Sequence, residues 1–282
     1  MAVVDSQGLG AFWWAVPLGL ALVIGLLCPL TGTLLLVQRR LFQANLISHA
    51  VLPGLALALA LHVDPALGGA VSGVGGALVA ERLNRNAPAT DGGHEAVLNT
   101  VLAGFLGLGV LLIPLLHLRV DLEAVLFGDL LAAGPTDLVR AVVALGAVLV
   151  LLVGRYEHLV FLGVDPAGAA AMGLPVARLQ GLMTLVTAFT VVSAMAAVGV
   201  VLVMALMGAP AVVALGGALS LRAALIRSAA VGLAVTALGF GLALVPAINL
   251  PPGPLIGVLC LALLPLAPLL GRVVGRGLGR GR

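Results

Sequence analysis

Residues 45–54 read NLISHAVLPG, an imidazole set in an otherwise apolar run. On a helix, Asn45 and His49 stand four residues apart and share a face, with Pro53 one turn further along. Proline has no N–H, so the His49 carbonyl loses its usual helical partner. One turn can therefore present an amide oxygen, an imidazole nitrogen and a free carbonyl. Such a set can coordinate a divalent ion or line a wet path, because ionisable residues inside membranes usually face a cavity or a partner rather than lipid. The same histidine can equally be structural, bonded to a neighbouring helix, since one helix turn is not a complete metal site. Ser48 beside His49 gives poor nucleophile–base geometry, because adjacent helical residues do not face each other. No G-x-S-x-G string supports an intramembrane hydrolase either.

The other residues able to do chemistry are few. No carboxylate follows Asp165 and no histidine follows His158, so acid–base or carboxylate–histidine metal chemistry belongs to the first 165 residues. All 14 basic residues are arginine. Without lysine there is no Walker A sequence, whose lysine reaches nucleotide phosphates, so the chain is not a P-loop ATPase and is expected to catalyse no covalent reaction. Cys28 and Cys260 sit in separate apolar runs without a C-x-x-C pair and read as small core residues. Asp129 can attract cations at a mouth or cap a turn. His94 and Glu95 read as a helix N-terminus that can touch a partner. Met204 and Met207 read as packing. In VDPAGAAAMGLP, Asp165 suits an N-cap and Pro166 the first helical position, Ala170 lies in the alanine body, and Gly173 can end the helix. A short helix with a small face suits docking into the cleft of a partner; the plainer reading is a connector.

The elements that position these residues follow from composition. Of 282 residues 62% are hydrophobic and 9% charged, and mean hydropathy is +1.24. Apolar runs of about 20 residues, each able to cross a hydrocarbon core, recur from end to end. This predicts an all-α polytopic membrane protein. The spans are expected near 12–37, 41–61, 66–80, 96–116, 138–153, two within 182–217 with a tight turn near Ala196–Gly199, one ending near Val245 and one ending near Leu270. His117–Asp137 reads as an interfacial or re-entrant helix closed by Pro135, and 154–181 as a connector. With nine spans and Arg39–Arg40 placed in the cytoplasm, every arginine except Arg119 and Arg140 falls inside, which predicts N-out, C-in topology. An eight-span count would reverse the C-terminal half. Residues 1–11 form an N-terminal segment without the cationic region of a signal peptide, 12–271 the transmembrane domain, and 272–282 an Arg/Gly-rich tail expected to be disordered. Arginines scattered between spans do not point to nucleic acid. The small residues Gly68, Ser72, Gly76 and Gly69, Gly73, Ala77 form a face for close helix packing, within the chain or between subunits.

The string LLLVQRRLFQANLISHAVLPGLALAL resembles the second-span region of permeases of bacterial metal-ion ABC importers, the zinc, manganese and iron family. EAVLNTVLAGFLGLGVLLI, LEAVLFGDLL, VDPAGAAAMGLPVARL and AVGVVLVMALMGAPAVVA follow in matching order, so the resemblance runs from about Leu18 to Leu270. It implies a homodimeric permease in the bacterial inner membrane, a separate cytoplasmic ATPase that binds the ATP, and an extracytoplasmic solute-binding protein that delivers the metal. It also implies that His49 lies on the metal path and that Asp165, Pro166, Ala170 and Gly173 belong to the segment coupled to the ATPase. In the family the residue four before this histidine is typically aspartate; here it is Asn45, so the position carries over and the charge does not. No resident cofactor is implied. Alternative readings are an ABC permease that has lost metal selectivity and moves another small solute, and a stand-alone secondary transporter, which would not need the coupling-like segment.

Overall fold

The structure is a computed structural model describing residues 14–84, 93–118, 128–245 and 250–278, the last by its backbone alone from residue 266. The described residues form helices and turns, with no strand: α1 (Ala15–Val37), α2 (Leu41–Ala60), α3 (Pro65–Asn84), α4 (Gly93–Leu115), α5 (Pro135–Val164), the short α6 (Pro166–Ala171), α7 (Val176–Leu215), α8 (Leu221–Ala243) and α9 (Pro252–Leu278). Seven segments are long and apolar enough to cross a membrane, with α7 supplying two, Val176–Met195 and Ala197–Leu215. The glycine-diluted α3 and the shorter apolar part of α9 pack beside them.

The tight turn expected inside α7 is present at Gly199, whose φ of 76° favours glycine. Thr190 Oγ1 lies 3.4 Å from Thr31 Oγ1 of α1. A Cβ on the next α1 residue, Gly32, would collide with the Met207 carbonyl. A straight helix would hold Thr190 and Met207 about 25 Å apart. The two halves of α7 therefore run antiparallel as a hairpin against α1. Gly128, with φ 68°, seats its backbone on Val198 and Gly199 at the tip.

α1 is the central post. Leu20, Ile24, Leu27 and Leu34 are almost wholly buried, and the helix packs on α5, α7 and α8. Gly25 and Gly232 let α1 and α8 touch backbone to backbone. α2 and α3 do the same at Gly54 and Gly68, where each glycine occupies the space a Cβ would need on the other. Ser72 Oγ donates to the Ala50 carbonyl at 2.6 Å across the same seam. The small face of α3 thus packs within the chain: Gly69, Gly73 and Gly76 lie on Val51, Ile47 and Ala50. Cys28 and Cys260 are free and buried, as composition predicts.

Three expectations are corrected. Pro135 opens a helix rather than closing one: Gly134 N donates to Asp137 Oδ2 at 3.0 Å, and proline occupies the first turn, where its missing N–H costs nothing. Residues 119–127 of the expected interfacial helix lie outside the described residues. The stretch 154–164, expected as a connector, continues α5 past a local break at Arg155 (φ −134°, ψ 22°), because no proline intervenes before Pro166. The tail expected from Arg272 begins as helix, since α9 runs to Leu278.

Side-chain contacts sort the helix ends. Gly163 of α5 lies on Val37 of α1, and Arg222 of α8 stacks 4.9 Å from the Tyr156 ring. These mark one end of the bundle, which also holds α6. At the other end Arg140 Nη2 donates to Asp64 Oδ2 at 2.7 Å, joining the α2–α3 turn to the start of α5. The two arginines that topology sets apart in sequence include Arg140, and its partner Asp64 is a pairing that sequence alone did not reveal.

Candidate functional site

The corner before α2 sets the phase of the site. Arg39 adopts φ 56°, while Arg40 N donates to the Leu35 carbonyl at 2.8 Å and Arg39 N to Leu36 at 3.1 Å. This Schellman closure ends α1 and launches α2 after a very short link. Along α2, Ile47, Ala50 and Val51 are taken up by α3, Leu52 and Pro53 by Gly109 of α4, and Leu41 approaches Gly208 of α7. Phe42, Asn45 and His49 share a further face of α2 and are all half-buried.

On that face His49 Nδ1 is buried and has no hydrogen-bond partner among the described residues. No described neighbouring helix satisfies the histidine through that nitrogen. Ser48 is fully buried and donates its hydroxyl to the Asn45 carbonyl at 2.7 Å, so it is engaged along its own helix and not with His49. Among the described residues no three His, Cys, Asp or Glu side chains gather into one cluster. One copy of the chain therefore offers an amide and an imidazole, two ligands of the several a divalent ion takes.

Where α2 begins, a polar pocket of about 440 Å³ opens, lined by Gln38, Arg40, Phe42, Glu81, Asn84 and His94. Both amide atoms of Gln38 and Oδ1 of Asn84 are buried there without partners among the described residues. Burial pulls the Arg40 guanidinium below its usual range, and the Glu81 carboxylate pushes it back up. Phe42 is shared with the face of Asn45 and His49, so the pocket stands at the foot of that face. Gln38 and Asn84 gave no signal in the sequence, being ordinary residues at the ends of two different helices.

α6 is capped and bounded as its sequence predicts. Asp165 Oδ1 accepts from Gly168 N at 2.8 Å, Pro166 opens the helix, and Gly173 (φ 78°) closes it, with Leu174 N donating to the Ala169 carbonyl at 3.1 Å. Ala169 alone is buried; Asp165, Pro166, Ala170 and Gly173 are exposed. Asp129 caps a turn, its Oδ1 accepting from Leu131 and Ala132 at 3.1 and 3.2 Å. Met207 is buried and Met204 packs on the core. His94 lines the polar pocket, while Glu95 stands exposed in the first turn of α4.

The model of the ABC 3 transport family matches residues 14–271. The chain belongs to that family. It is a multi-pass membrane transport protein of the ABC permease type. A membrane protein of the ycf23-apcF intergenic region of Cyanophora paradoxa is 30% identical over 239 residues, 84% of this chain and 78% of that one. The manganese import system permease protein ScaB of Streptococcus gordonii is 28% identical over 220 residues, 78% of each chain. The chelated iron transport system membrane protein YfeD of Yersinia pestis is 29% identical over 179 residues, 64% of this chain and 59% of its own length. In structure, a chain of PsaBC from Streptococcus pneumoniae, solved in complex with Fab, superposes with a TM-score of 0.81 at 26% identity, covering 94% of this chain and 95% of that one.

Proposed function

We propose that this family member is the permease subunit of an importer that moves a divalent transition metal, manganese, iron or zinc, into the cytoplasm of a bacterium. The observation that carries the reading is the buried Nδ1 of His49, without a partner among the described residues, on the face of α2 that it shares with Asn45. Relatives named for manganese and for chelated iron support a metal as cargo. The ion passes His49 and Asn45 and leaves through the polar pocket, where the oxygens of Gln38 and Asn84 have no partner among the described residues. A second copy of the chain, placed about a two-fold axis, would double the ligands to two amides and two imidazoles. An amide oxygen attracts a dication less than a carboxylate does, so Asn45 makes this a transit site rather than a trap; conduction requires binding weak enough to leave.

The chain lies N-out and C-in, so α6 and the polar pocket face the cytoplasm and the Asp64–Arg140 pair faces outward. A separate cytoplasmic ATPase receives α6 and hydrolyses ATP, and an extracytoplasmic binding protein delivers the metal. The metal is cargo, not a resident cofactor. The test is uptake of manganese by the permease reconstituted with its ATPase and binding protein. His49→Ala should abolish uptake while the protein remains folded. Asn45→Asp should tighten metal binding and slow release. Uptake by His49→Ala at the wild-type rate would overturn the assignment of this face.

A further inference from the structure

On another side of the molecule α3, α5 and the first half of α7 leave a groove of about 1040 Å³ between them. Its walls are almost wholly apolar. α3 contributes Val71, Gly75 and Leu78, and α7 contributes Leu182, Leu185 and Phe189. The glycine faces of α3 that grip α2 are spent elsewhere, so this is the other flank of the same helix. Helical spacing continues both rows into a charge. Val71, Gly75 and Leu78 lead to Arg82 one turn on; Phe189, Leu185 and Leu182 lead back to Arg178 one turn before. Arg155 itself lines the groove beside Gly154, at the point where α5 departs from helical dihedrals.

All three arginines stand at the end of the bundle that holds α6. α3 and α5 run toward that end, and α7 starts from it. All three are exposed, and none has an ion-pair or hydrogen-bond partner among the described residues. Membrane topology accounts for arginines on one side of a bilayer. It does not require one apolar groove to hold Arg155 in its lining and to have Arg82 and Arg178 one turn beyond its two other walls. An apolar channel along membrane helices with arginines at its cytoplasmic end matches an anionic lipid in shape and charge.

We propose that this groove holds an anionic phospholipid, its acyl chain along α3, α5 and α7 and its phosphate between Arg82, Arg155 and Arg178. The guanidinium fork matches phosphate oxygens, and basic pockets between membrane helices bind anionic headgroups in this way. The site lies apart from Asn45 and His49 and does not depend on what the transport path carries.

The test uses the full chain extracted from membranes that contain phosphatidylglycerol, cardiolipin and phosphatidylethanolamine, with retained lipid read by native mass spectrometry. The wild type should keep an anionic phospholipid in preference to phosphatidylethanolamine. Neutralising the rim in R82Q/R155Q/R178Q should weaken retention about fivefold per arginine, or about a hundredfold together. Gly75→Leu with Gly154→Leu keeps every arginine but fills the groove; a Cβ at either glycine meets nothing within 4 Å, so the variant should fold. It should lose the lipid as well. Retention unchanged in either variant, or phosphatidylethanolamine held as tightly as phosphatidylglycerol, overturns the proposal. So does a filled-groove variant that keeps its lipid but changes its number of subunits, which would assign the groove to a second copy.

Discussion

The seam between α2 and α3 is the contact on which the phase of α2 most depends, and a single methyl group tests it. In Gly54→Ala the new Cβ would overlap the Gly68 carbonyl and the Ser72 Cβ. A backbone carbonyl cannot move aside as a side-chain tip can, so the helices must part. Overpacking of this kind costs about 1–3 kcal/mol, and the backbone obstacle places it near the upper end. Parting the helices also strains the Ser72–Ala50 hydrogen bond of 2.6 Å, which between membrane helices contributes about 0.6 kcal/mol. The sum is about 3 kcal/mol, a fall of roughly a hundredfold in the ratio of folded to unfolded protein. Gly75→Ala is the matched control. It makes the same chemical change on α3, but its Cβ meets nothing within 4 Å. That substitution should be neutral or stabilise by about 0.5–1 kcal/mol through reduced backbone freedom. Unfolding midpoints in mild detergent, titrated with SDS, compare the two directly. Gly54→Ala should also lower metal uptake, because it lies one residue past Pro53 and carries His49 with it when α2 shifts. If the two variants unfold together, the close approach of α2 and α3 is not a tight contact and the reasoning fails.

Two further expectations concern α6 and the orientation of the chain. Replacing Ala170 and Gly173 by Val places β-branched bulk on the exposed side of α6 and puts a side chain at φ 78°, so ATPase activity should uncouple from uptake or the ATPase should fail to co-purify; normal assembly and uptake would remove α6 as the docking element. Cysteines placed at His62 and Met172 should be labelled from opposite sides of intact cells, His62 from outside and Met172 only by reagents that reach the cytoplasm. The two native cysteines, each about 1% exposed or less, leave that background clean. External labelling of Met172 would reject the N-out, C-in topology.

Composition and spacing were enough for the architecture of this protein. A chain that is 62% hydrophobic with charges confined between apolar runs has few ways to satisfy its backbone other than as membrane helices. The break at Gly199 was legible because two spans had to fit into one apolar stretch, and a glycine marks where the backbone can take a positive φ. Asp165, Pro166 and Gly173 were legible because capping is local: each acts on residues within one turn of itself. His49 and Asn45 could be placed on one face by the period of the helix. What that face meets was not in the period. Only the tertiary structure decided that α3, α4 and α7 pack on α2 and that His49 Nδ1 finds no partner among the described residues. It alone paired Asp64 with Arg140, brought Gln38 to Asn84, and set Arg155 in the lining of the apolar groove. These contacts join segments far apart in the chain, and their geometry follows from how closely glycine lets each pair of helices approach. The sequence carries the glycines, but which helix each one admits emerges only when all the helices pack at once.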